Sequence, residues 1–418
     1  MITVIGLGFV GLTTGLGFAK KGFKVYGVDV AQGKVDLIKS GKVPFYEPHL
    51  EEALKETTGK TFFPTTDLSE AIANSELVFF CVGTPSDDEG RADLGQINGA
   101  LTSVLSHVRK GDFKALVIKS TVPPSTTKEK VKPFIEKEGF EVGKDVGLAN
   151  NPEFLREGYA WDDFVNPDRI VIGAEDERTR AILEKVYAPF GRPFYSVSWN
   201  TGEYIKYLSN TLLATLISYA NEQSMLAYAV GDIDISKAFK ILHQDKRWSG
   251  SPAGMTSYVY PGCGFGGYCL PKDTAALNAL AAQKGYQSGI LQNVINVNAQ
   301  VKAFHLDRIM TACKKDENIT VLGLAFKAES DDVRDTPAWY FINGLMEAGY
   351  KNIKAYDPLA NHAYDLLYKQ PLQYCKTMEE AIDNTEKVVV VTAWKEFKEK
   401  SDLLKDKVVF DLRYALNK

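Results

Sequence analysis

The sequence predicts an α/β chain in which two parallel-sheet domains are joined by a central helical domain that contains a long helix. Three observations predict this class. Strand and helix patterns alternate up to about residue 200, strand patterns then stop, and the alternation resumes at Ile319 and continues to the C-terminus. We therefore expect domains over 1–200, 201–300 and 301–418.

The first domain opens with a compact strand–helix–strand unit. Residues 2–5 form an apolar, β-branched run, residues 10–21 have helical periodicity, and residues 24–28 form a second apolar run. Further strands are predicted at 77–82, 115–119 and 170–172. Continuous apolar runs separated by helical patterns are typical of a parallel sheet covered by helices.

The second and third domains follow the same reasoning. Helices are predicted at 204–231, 235–242 and 292–313, with a glycine-rich stretch at 262–267. Strands are predicted at 319–324, 353–356, 387–392 and 407–411. The longest apolar tract, 204–230, contains Lys206 and several amides, which makes it too polar to cross a bilayer.

Composition limits the classes of partner. The 418 residues include 49 basic and 53 acidic side chains, a balance that predicts no nucleic-acid surface. Five scattered cysteines without a CxxC pair indicate reduced thiols and no metal site. Because the N-terminus also lacks a secretory signal pattern, we expect a cytoplasmic protein without a membrane partner.

A glycine motif follows the first predicted strand. Gly6, Gly8 and Gly11 have the GxGxxG spacing that lets a pyrophosphate approach the N-terminus of a helix, as in Rossmann-like domains. Asp29 ends the next strand, where a carboxylate binds ribose hydroxyls and repels a 2′-phosphate. The motif therefore predicts NAD as cofactor. The third domain lacks the full glycine triplet and is assigned to substrate.

Residues 264–273 combine glycines, a thiol, a cation and a carboxylate. Cys269 is a candidate nucleophile for an aldehyde, and Asp273 is a candidate to hold a water or a base. A single cysteine is more often a buried apolar residue, so the hypothesis depends on the combination. The spacing of Cys263 and Cys269 does not fit a zinc site.

Two polar segments complete the candidate site. Lys206 and Asn210 are four residues apart, hence on one face of the long helix, where two donors can converge on one oxygen; the alternative is a solvated polar face. Residues 151–158 contain two carboxylates around a cation, and Glu153 is a candidate general base.

Taken together, these segments resemble the UDP-glucose and GDP-mannose dehydrogenase family along nearly the whole chain. The resemblance rests on Gly6, Gly8 and Gly11, on Gly83-Thr84-Pro85, on Ser120-Thr121-Val122-Pro123, and on residues 151–158, 203–210, 264–273, 324–327 and 331–335. It implies an N-terminal NAD domain, a dimer-forming helical domain and a C-terminal sugar-nucleotide domain, and therefore a homodimer or a higher homo-oligomer.

The resemblance also implies roles for individual residues. Expected near NAD, besides the glycines, are Val10, Asp29, Lys34, Thr84, Thr121, Glu157, Lys272 and Arg334, the last reaching across from a partner subunit or another domain. Expected near substrate are Glu153, Phe154, Leu155, Lys206, Asn210, Tyr258, Val259, Tyr260, Pro261, Gly262, Gly266 and Lys327.

The implied reaction consists of two oxidations at one site. The sugar C6 loses a hydride to NAD, Cys269 captures the aldehyde as a thiohemiacetal, a second NAD oxidises this to a thioester, and water releases the acid. Lys206, Asn210 and Asp273 would manage the proton and the oxyanion. Glu153 would activate the hydrolytic water, which Thr121 helps to hold.

Several alternatives stay open at this stage. The match over residues 267–273 favours UDP-glucose, but GDP-mannose or an N-acetylated UDP-sugar would use the same chemistry. A two-electron β-hydroxyacid-type dehydrogenase has no use for Cys269. A sensor that binds without turnover is the third alternative, and the presence of the thiol disfavours it.

Overall fold

The computed structural model describes residues 1–245, 259–283 and 288–416. These form two compact units, Met1–Ser209 and Asn210–Lys418. The predicted fold class is confirmed: each unit contains a sheet of mostly parallel strands, and a helix of 32 residues runs across the boundary. The three-domain boundaries stay a prediction.

The first unit is built on a sheet whose strand order is β3-β2-β1-β4-β5-β6-β7-β8. Its strands are β1 (Ile2–Ile5), β2 (Val25–Val28), β3 (Phe62–Thr65), β4 (Leu77–Phe80), β5 (Lys114–Ile118), β6 (Val146–Asn150), β7 (Ile170–Ala174) and β8 (Phe194–Val197). The central strands are buried on both faces, which explains their continuous apolar runs. Contrary to the expected parallel sheet, β6 and β7 pair antiparallel.

Helices cover this sheet. They are α1 (Phe9–Lys20), α2 (Gln32–Lys39), α3 (Leu50–Thr57), α4 (Leu68–Asn74), α5 (Gly95–Leu105), α6 (Lys132–Lys137), α7 (Ala160–Val165) and α8 (Glu177–Tyr187), with a π-helical turn at Thr127–Val131 and a 3-10 turn at Ala188–Phe190. Carboxylates cap two of them: Asp67 accepts a bond from the Glu70 amide and Asp176 from the Thr179 amide.

An aromatic cluster fills the space under α1. The Phe18 ring lies within 5.8 Å, centroid to centroid, of the rings of Phe79, Phe164, Tyr187 and Phe190. Offset and edge-to-face pairs of this kind bury a large apolar area in a fixed geometry. The cluster packs α1 against β4, α7 and the end of α8.

The second unit repeats the strand order of the first half of the larger sheet. Its strands β9 (Ile319–Leu322), β10 (Ile353–Tyr356), β11 (Gln373–Tyr374), β12 (Lys387–Val390) and β13 (Val408–Asp411) pair in parallel in the order β11-β10-β9-β12-β13. This matches β3-β2-β1-β4-β5, the order of a doubly wound sheet.

The remaining helices belong to the second unit, except for the shared long helix. They are α9 (Trp199–Val230), α10 (Ile235–Leu242), α11 (Cys269–Gln283), α12 (Gly289–Ala312), α13 (Pro337–Glu347), α14 (Asn361–Tyr368), α15 (Met378–Ile382) and α16 (Lys395–Glu399), with a 3-10 turn at Ser401–Leu404. In the described ranges, no helix combines the length and apolarity that a membrane span requires.

The predicted elements are recovered within a few residues, with some omissions. The sequence analysis missed β3, β6, β8 and β11; β3, β8 and β11 lie at sheet edges, whereas β6 lies inside the larger sheet. It assigned no helix to residues 269–283, which form α11 with Cys269 as its first residue.

Candidate active site

The glycine turn after β1 leaves its backbone accessible. Gly6 has a φ of +87°, and a Cβ atom on Gly11 would lie 1.8 Å from the Gly6 carbonyl oxygen, so neither position accepts a side chain. At Gly8, directly before α1, a Cβ would meet no atom within 4 Å. This turn therefore presents exposed backbone at the start of α1, as a bound pyrophosphate requires.

Asp29 is fixed at the end of β2. Its carboxylate accepts hydrogen bonds from the Leu7 amide at 2.8 Å and the Ala31 amide at 3.0 Å, and Lys34 Nζ lies 2.7 Å from Oδ2. Burial alone would raise the pKa of Asp29, but these bonds hold that pKa below its ordinary value. The carboxylate is thus ionised beside the glycine turn, and the residues present fit NAD. Val10 is half-buried on α1.

Thr84 and Thr121 come together across neighbouring strands. The hydroxyl of buried Thr84 donates to the backbone oxygen of Thr121 at 2.8 Å, and Ser120 donates to the Val82 oxygen at 2.7 Å. These contacts join the loops that follow β4 and β5, so both threonines lie at the carboxyl edge of the sheet, where ligands of such sheets bind.

Glu153 and Lys206 form a buried ion pair. Lys206 Nζ lies 2.7 Å from Glu153 Oε1, and the Leu155 amide donates to the other carboxylate oxygen at 2.6 Å. Burial would raise the pKa of Glu153, yet the charge and hydrogen bond of Lys206, the Leu155 amide and the charge of Lys119 hold it below its ordinary value. The polar face predicted for the long helix is thus buried in this part, and the solvated alternative is wrong for Lys206.

The loop around this pair is held from several sides. The Phe154 ring lies 5.8 Å from Lys206 Nζ and 4.3 Å from the guanidinium carbon of Arg169. Glu47, a buried residue that the sequence analysis missed, accepts bonds from the amides of Gly158 and Ala160, each at 2.8 Å. Glu157, between Phe154 and Gly158 in the chain, is half-buried.

The glycines of residues 264–267 allow close packing. A Cβ on Gly266 would lie 2.2 Å from the Asp335 carbonyl oxygen, and one on Gly267 would lie 2.8 Å from the Phe326 ring. Asn298 clamps the same segment, since its side chain accepts from the Phe265 amide and donates to the Phe265 oxygen. The stretch expected to be a flexible loop is therefore buried and fixed.

Cys269 begins helix α11 directly after this segment. Of the five cysteines, all within the described ranges, Cys269 alone is exposed. Buried Asp273 accepts a bond from Asn210 and pairs with Lys272, whose Nζ lies 2.6 Å from Oδ1. Burial lowers the pKa of Lys272, but Asp273, then Cys269 and Tyr268, outweigh this and raise it. The thiol, the cation and the carboxylate are thus together on the first turns of one helix.

Arg334 lies beside this cluster within the same unit. Its guanidinium carbon is 4.4 Å from the Tyr268 ring, and its Nη2 is 2.6 Å from Asp332 Oδ2. Lys272 Nζ contacts the same ring at 5.5 Å. Lys327 is half-buried with its Nζ 5.6 Å from the Phe326 ring.

The residues before the glycine segment are buried. Val259, Tyr260, Pro261 and Gly262 lie in the interior of the second unit, and the Gly262 amide donates to Asn221. Tyr258 lies outside the described residues. Two basic side chains here were missed by the sequence analysis: His305, whose pKa burial lowers to about 4, and Arg413, which donates to the Val391 oxygen at 3.0 Å. No motif marks either of them.

The second sheet has its own counterpart of Asp29, but its bonds are saturated. Asp357 follows β10 and accepts bonds from the amides of Leu324, Ala325, Leu359 and Ala360 and from the Trp394 indole. A Cβ on Gly323 would lie 2.4 Å from Thr392. This turn is closed by protein groups, whereas the turn at Gly8 is open.

Three family models match the chain. The NAD binding domain of the UDP-glucose/GDP-mannose dehydrogenase family matches residues 1–191, its central domain matches 200–300, and its UDP binding domain matches 320–418.

Individual proteins agree with this match. The UDP-glucose 6-dehydrogenase YwqF of Bacillus subtilis is 36% identical, over 99% of this chain and 93% of that protein. A solved UDP-glucose dehydrogenase from Pyrobaculum islandicum is 34% identical, with a TM-score of 0.91 over 100% of this chain and 95% of that one. A UDP-D-ManNAc dehydrogenase from Pyrococcus horikoshii is 26% identical, with a TM-score of 0.84 over 97% and 93%.

Proposed function

The chain belongs to the UDP-glucose/GDP-mannose dehydrogenase family, and we propose that it oxidises the C6 alcohol of UDP-glucose to a carboxylate. It is an NAD-dependent oxidoreductase, since the NAD binding domain of this family spans residues 1–191. UDP-glucose is proposed because relatives named for that substrate match over nearly their full length. The matched ranges also support the three-domain division.

The observation that carries the proposal is the environment of Cys269. The thiol is exposed at the first residue of α11, and the Lys272 ammonium lies close enough for the two charges to interact. Nearby positive charge favours the thiolate, which is the form that attacks a carbonyl carbon. A dehydrogenase that stops at an aldehyde or ketone has no use for such a nucleophile.

The proposed reaction has four steps, which are an oxidation, a thiol addition, a second oxidation and a hydrolysis. C6 loses a hydride and its hydroxyl loses a proton, which gives an aldehyde. The Cys269 thiol adds to this carbonyl group to form a thiohemiacetal. The thiohemiacetal then loses a second hydride from C6 and the proton of its hydroxyl, which gives a thioester, and water displaces the sulfur to release the acid and the thiol. NAD, when bound, accepts each hydride, so that two NADH form per sugar.

The polar residues receive distinct roles in this proposal. Lys206 and Asn210, one turn apart on α9, donate to the oxyanion, and Asp273 holds a water. Glu153 is ionised and therefore able to accept a proton from the hydrolytic water, which Thr121 helps to hold.

Binding roles are proposed for the other residues. The glycine turn, Val10, Asp29, Lys34, Thr84, Glu157, Lys272 and Arg334 bind NAD. The substrate is bound by Phe154, Leu155, residues 258–262, Gly266 and Lys327. Arg334 contacts Tyr268 of its own unit. That Arg334 reaches NAD from a partner subunit or another domain stays a prediction.

A homodimer is proposed through the exposed face of α9. Tyr204, Leu208, Leu212 and Tyr219 are 44% to 52% exposed and recur at helical spacing, so they form one apolar stripe. Burial of this stripe against a second copy would remove it from water. Light scattering at micromolar concentration is expected to give twice the chain mass for wild type and a single chain mass for Leu212→Glu. A monomeric wild type would contradict the dimer.

A cytoplasmic location is proposed as well. All five cysteines are free thiols, which fits a reducing compartment.

The test counts NADH released per molecule of UDP-glucose, with GDP-mannose and UDP-N-acetylmannosamine as comparison substrates. We expect two equivalents from UDP-glucose with wild type and loss of multiple turnover in Cys269→Ser. Cys313→Ser, which replaces a buried thiol at the end of α12, is the matched control and is expected to turn over normally.

Other outcomes have definite meanings. One equivalent of NADH, or full turnover by Cys269→Ser, would overturn the covalent mechanism. Two equivalents from another sugar nucleotide alone would keep the mechanism and replace the substrate.

A further inference from the structure

A buried lysine lies beside the Glu153–Lys206 pair and has no role in the reaction proposed above. Lys119 directly follows β5, two residues before Thr121, and is 3% exposed. Its Nζ donates to Asn151 Oδ1 at 2.9 Å and lies 6.0 Å from the Phe79 ring and 5.7 Å from the Phe164 ring. Among the described residues, no carboxylate oxygen is within ion-pair distance of it.

Two titratable groups around Lys119 are neutral near pH 7. Burial raises the pKa of the Cys81 thiol to about 12, and it raises the pKa of the Tyr187 hydroxyl, which also bonds Asn151, well above its ordinary value. The charged groups that interact with Lys119 are therefore Glu153 at the end of β6 and Lys206 on α9. The three side chains form a buried group of two cations and one carboxylate.

The titration of Lys119 falls within the range where enzymes work. Burial lowers its pKa to about 8, the charge of Lys206 adds to this lowering, and the charge of Glu153 opposes it. Lys119 is thus charged at neutral pH and loses its proton in mildly alkaline solution. When it does so, the net charge of the group falls from +1 to zero.

We propose that Lys119 is a positioning residue for the oxidation: through Asn151 it fixes the segment that carries Glu153, and its charge gives the Glu153–Lys206 pair a net positive charge. This proposal rests on the proposed function.

The physical reason concerns the charge that develops in the reaction. A neutral ion pair offers little stabilisation to an oxyanion, whereas a buried group with one surplus positive charge stabilises it strongly, because water does not screen it. An unbalanced buried charge is costly before the substrate binds. An oxyanion formed during the reaction would offset that cost.

The experiment compares Lys119→Met, Lys119→Arg and Lys114→Met. Lys114 is the matched control, because it is a buried lysine at the opposite end of the same strand, paired with Asp112 at 2.8 Å. The measurements are kcat and KM for UDP-glucose from pH 6 to 10, together with the melting temperature.

We expect the kcat of wild type to decrease near pH 8 as Lys119 loses its proton. We expect Lys119→Met to lower kcat roughly 10- to 100-fold at pH 7 with little change in KM, and to lack that decrease near pH 8. Lys119→Arg keeps a charge that does not titrate, so we expect it to retain most of kcat and to extend the plateau above pH 8. Lys114→Met is expected to keep the kcat and pH profile of wild type.

The proposal is overturned if Lys119→Met folds and keeps the kcat and pH profile of wild type, or if Lys114→Met loses kcat to the same extent. Should Lys119→Met fail to fold, the arginine variant decides: an unchanged decrease near pH 8 overturns the proposal, and an extended plateau supports it. Failure of the proposed function is distinguishable, because wild type would then release fewer than two equivalents of NADH per UDP-glucose.

Discussion

Glu203 Oε1 accepts two hydrogen bonds from Thr127, one from its amide at 2.7 Å and one from its hydroxyl at 2.6 Å. These two bonds join the start of α9 to the π-helical turn that leads into α6. Glu203 precedes Lys206 by three residues on α9. The other carboxylate oxygen is buried and has no hydrogen-bond partner among the described residues. Burial raises the pKa of Glu203 to about 7, although the hydrogen bonds from Thr127 and its neighbours lower it.

Glu203→Gln should therefore alter the pH dependence of stability. The pKa of Glu203 is higher in the folded chain than its ordinary 4.5, so its contribution to stability is complete below pH 4.5 and is lost as pH rises to about 7. Relative to the glutamine variant, wild type should lose up to roughly 3 kcal/mol of unfolding free energy over that interval. Urea unfolding of both proteins at pH 4.5 and pH 8 measures this difference. An equal change of unfolding free energy in the two proteins would contradict the prediction.

Asp29→Ser should weaken the preference for NAD over NADP. The carboxylate lies where it would bind ribose hydroxyls and repel a 2′-phosphate, and Lys34 beside it would then attract the phosphate. We expect the kcat/KM for NAD divided by the kcat/KM for NADP to fall about tenfold or more, and a tenfold fall corresponds to ~1.4 kcal/mol. Asp36→Ser removes an exposed carboxylate from the adjoining helix and should leave the ratio unchanged.

Calorimetric titration should find one NAD per chain. The turn at Gly8 is open, but in the second sheet Asp357 already accepts five hydrogen bonds and has no capacity left for a ribose. Two NAD per chain would show that the second turn opens.

Because Asp357 accepts these five bonds, Asp357→Asn should lower the unfolding free energy by about 1–3 kcal/mol, while Asp406→Asn, which changes an exposed carboxylate, should not lower it.

Gly266→Ala should destabilise the chain by about 1–3 kcal/mol, because the added methyl would lie 2.2 Å from the Asp335 carbonyl oxygen. A backbone oxygen cannot avoid this clash by a change of side-chain rotamer. Gly99→Ala is the control. That glycine lies in α5 with open space around its Cβ position, so alanine should stabilise by roughly 0.5–1 kcal/mol. Thermal or urea unfolding of both variants tests the contrast, and equal effects would contradict the packing argument.

The glycine turn and Asp29 were predictable because their chemistry is local. A strand, a GxGxxG turn and an acidic residue at the next strand end occupy one short segment, and hydrophobic periodicity sets the strands that hold them. The candidate residues Lys206, Asn210, Cys269 and Asp273 were proposed from motif spacing, and their roles stay a prediction; the side chains that contact them could not be read from that spacing.

By itself the sequence determined the alternation of elements and the glycine turn, and it predicted which side chains are reactive. Only the tertiary structure decided which charges are buried together. Lys119 and Glu153 follow β5 and β6, which a helical segment separates in the sequence but which are neighbours in the sheet, and Lys206 joins them from α9. The pKa of each depends on burial and on charges from other segments, and neither property is encoded by the residues next to it in the chain.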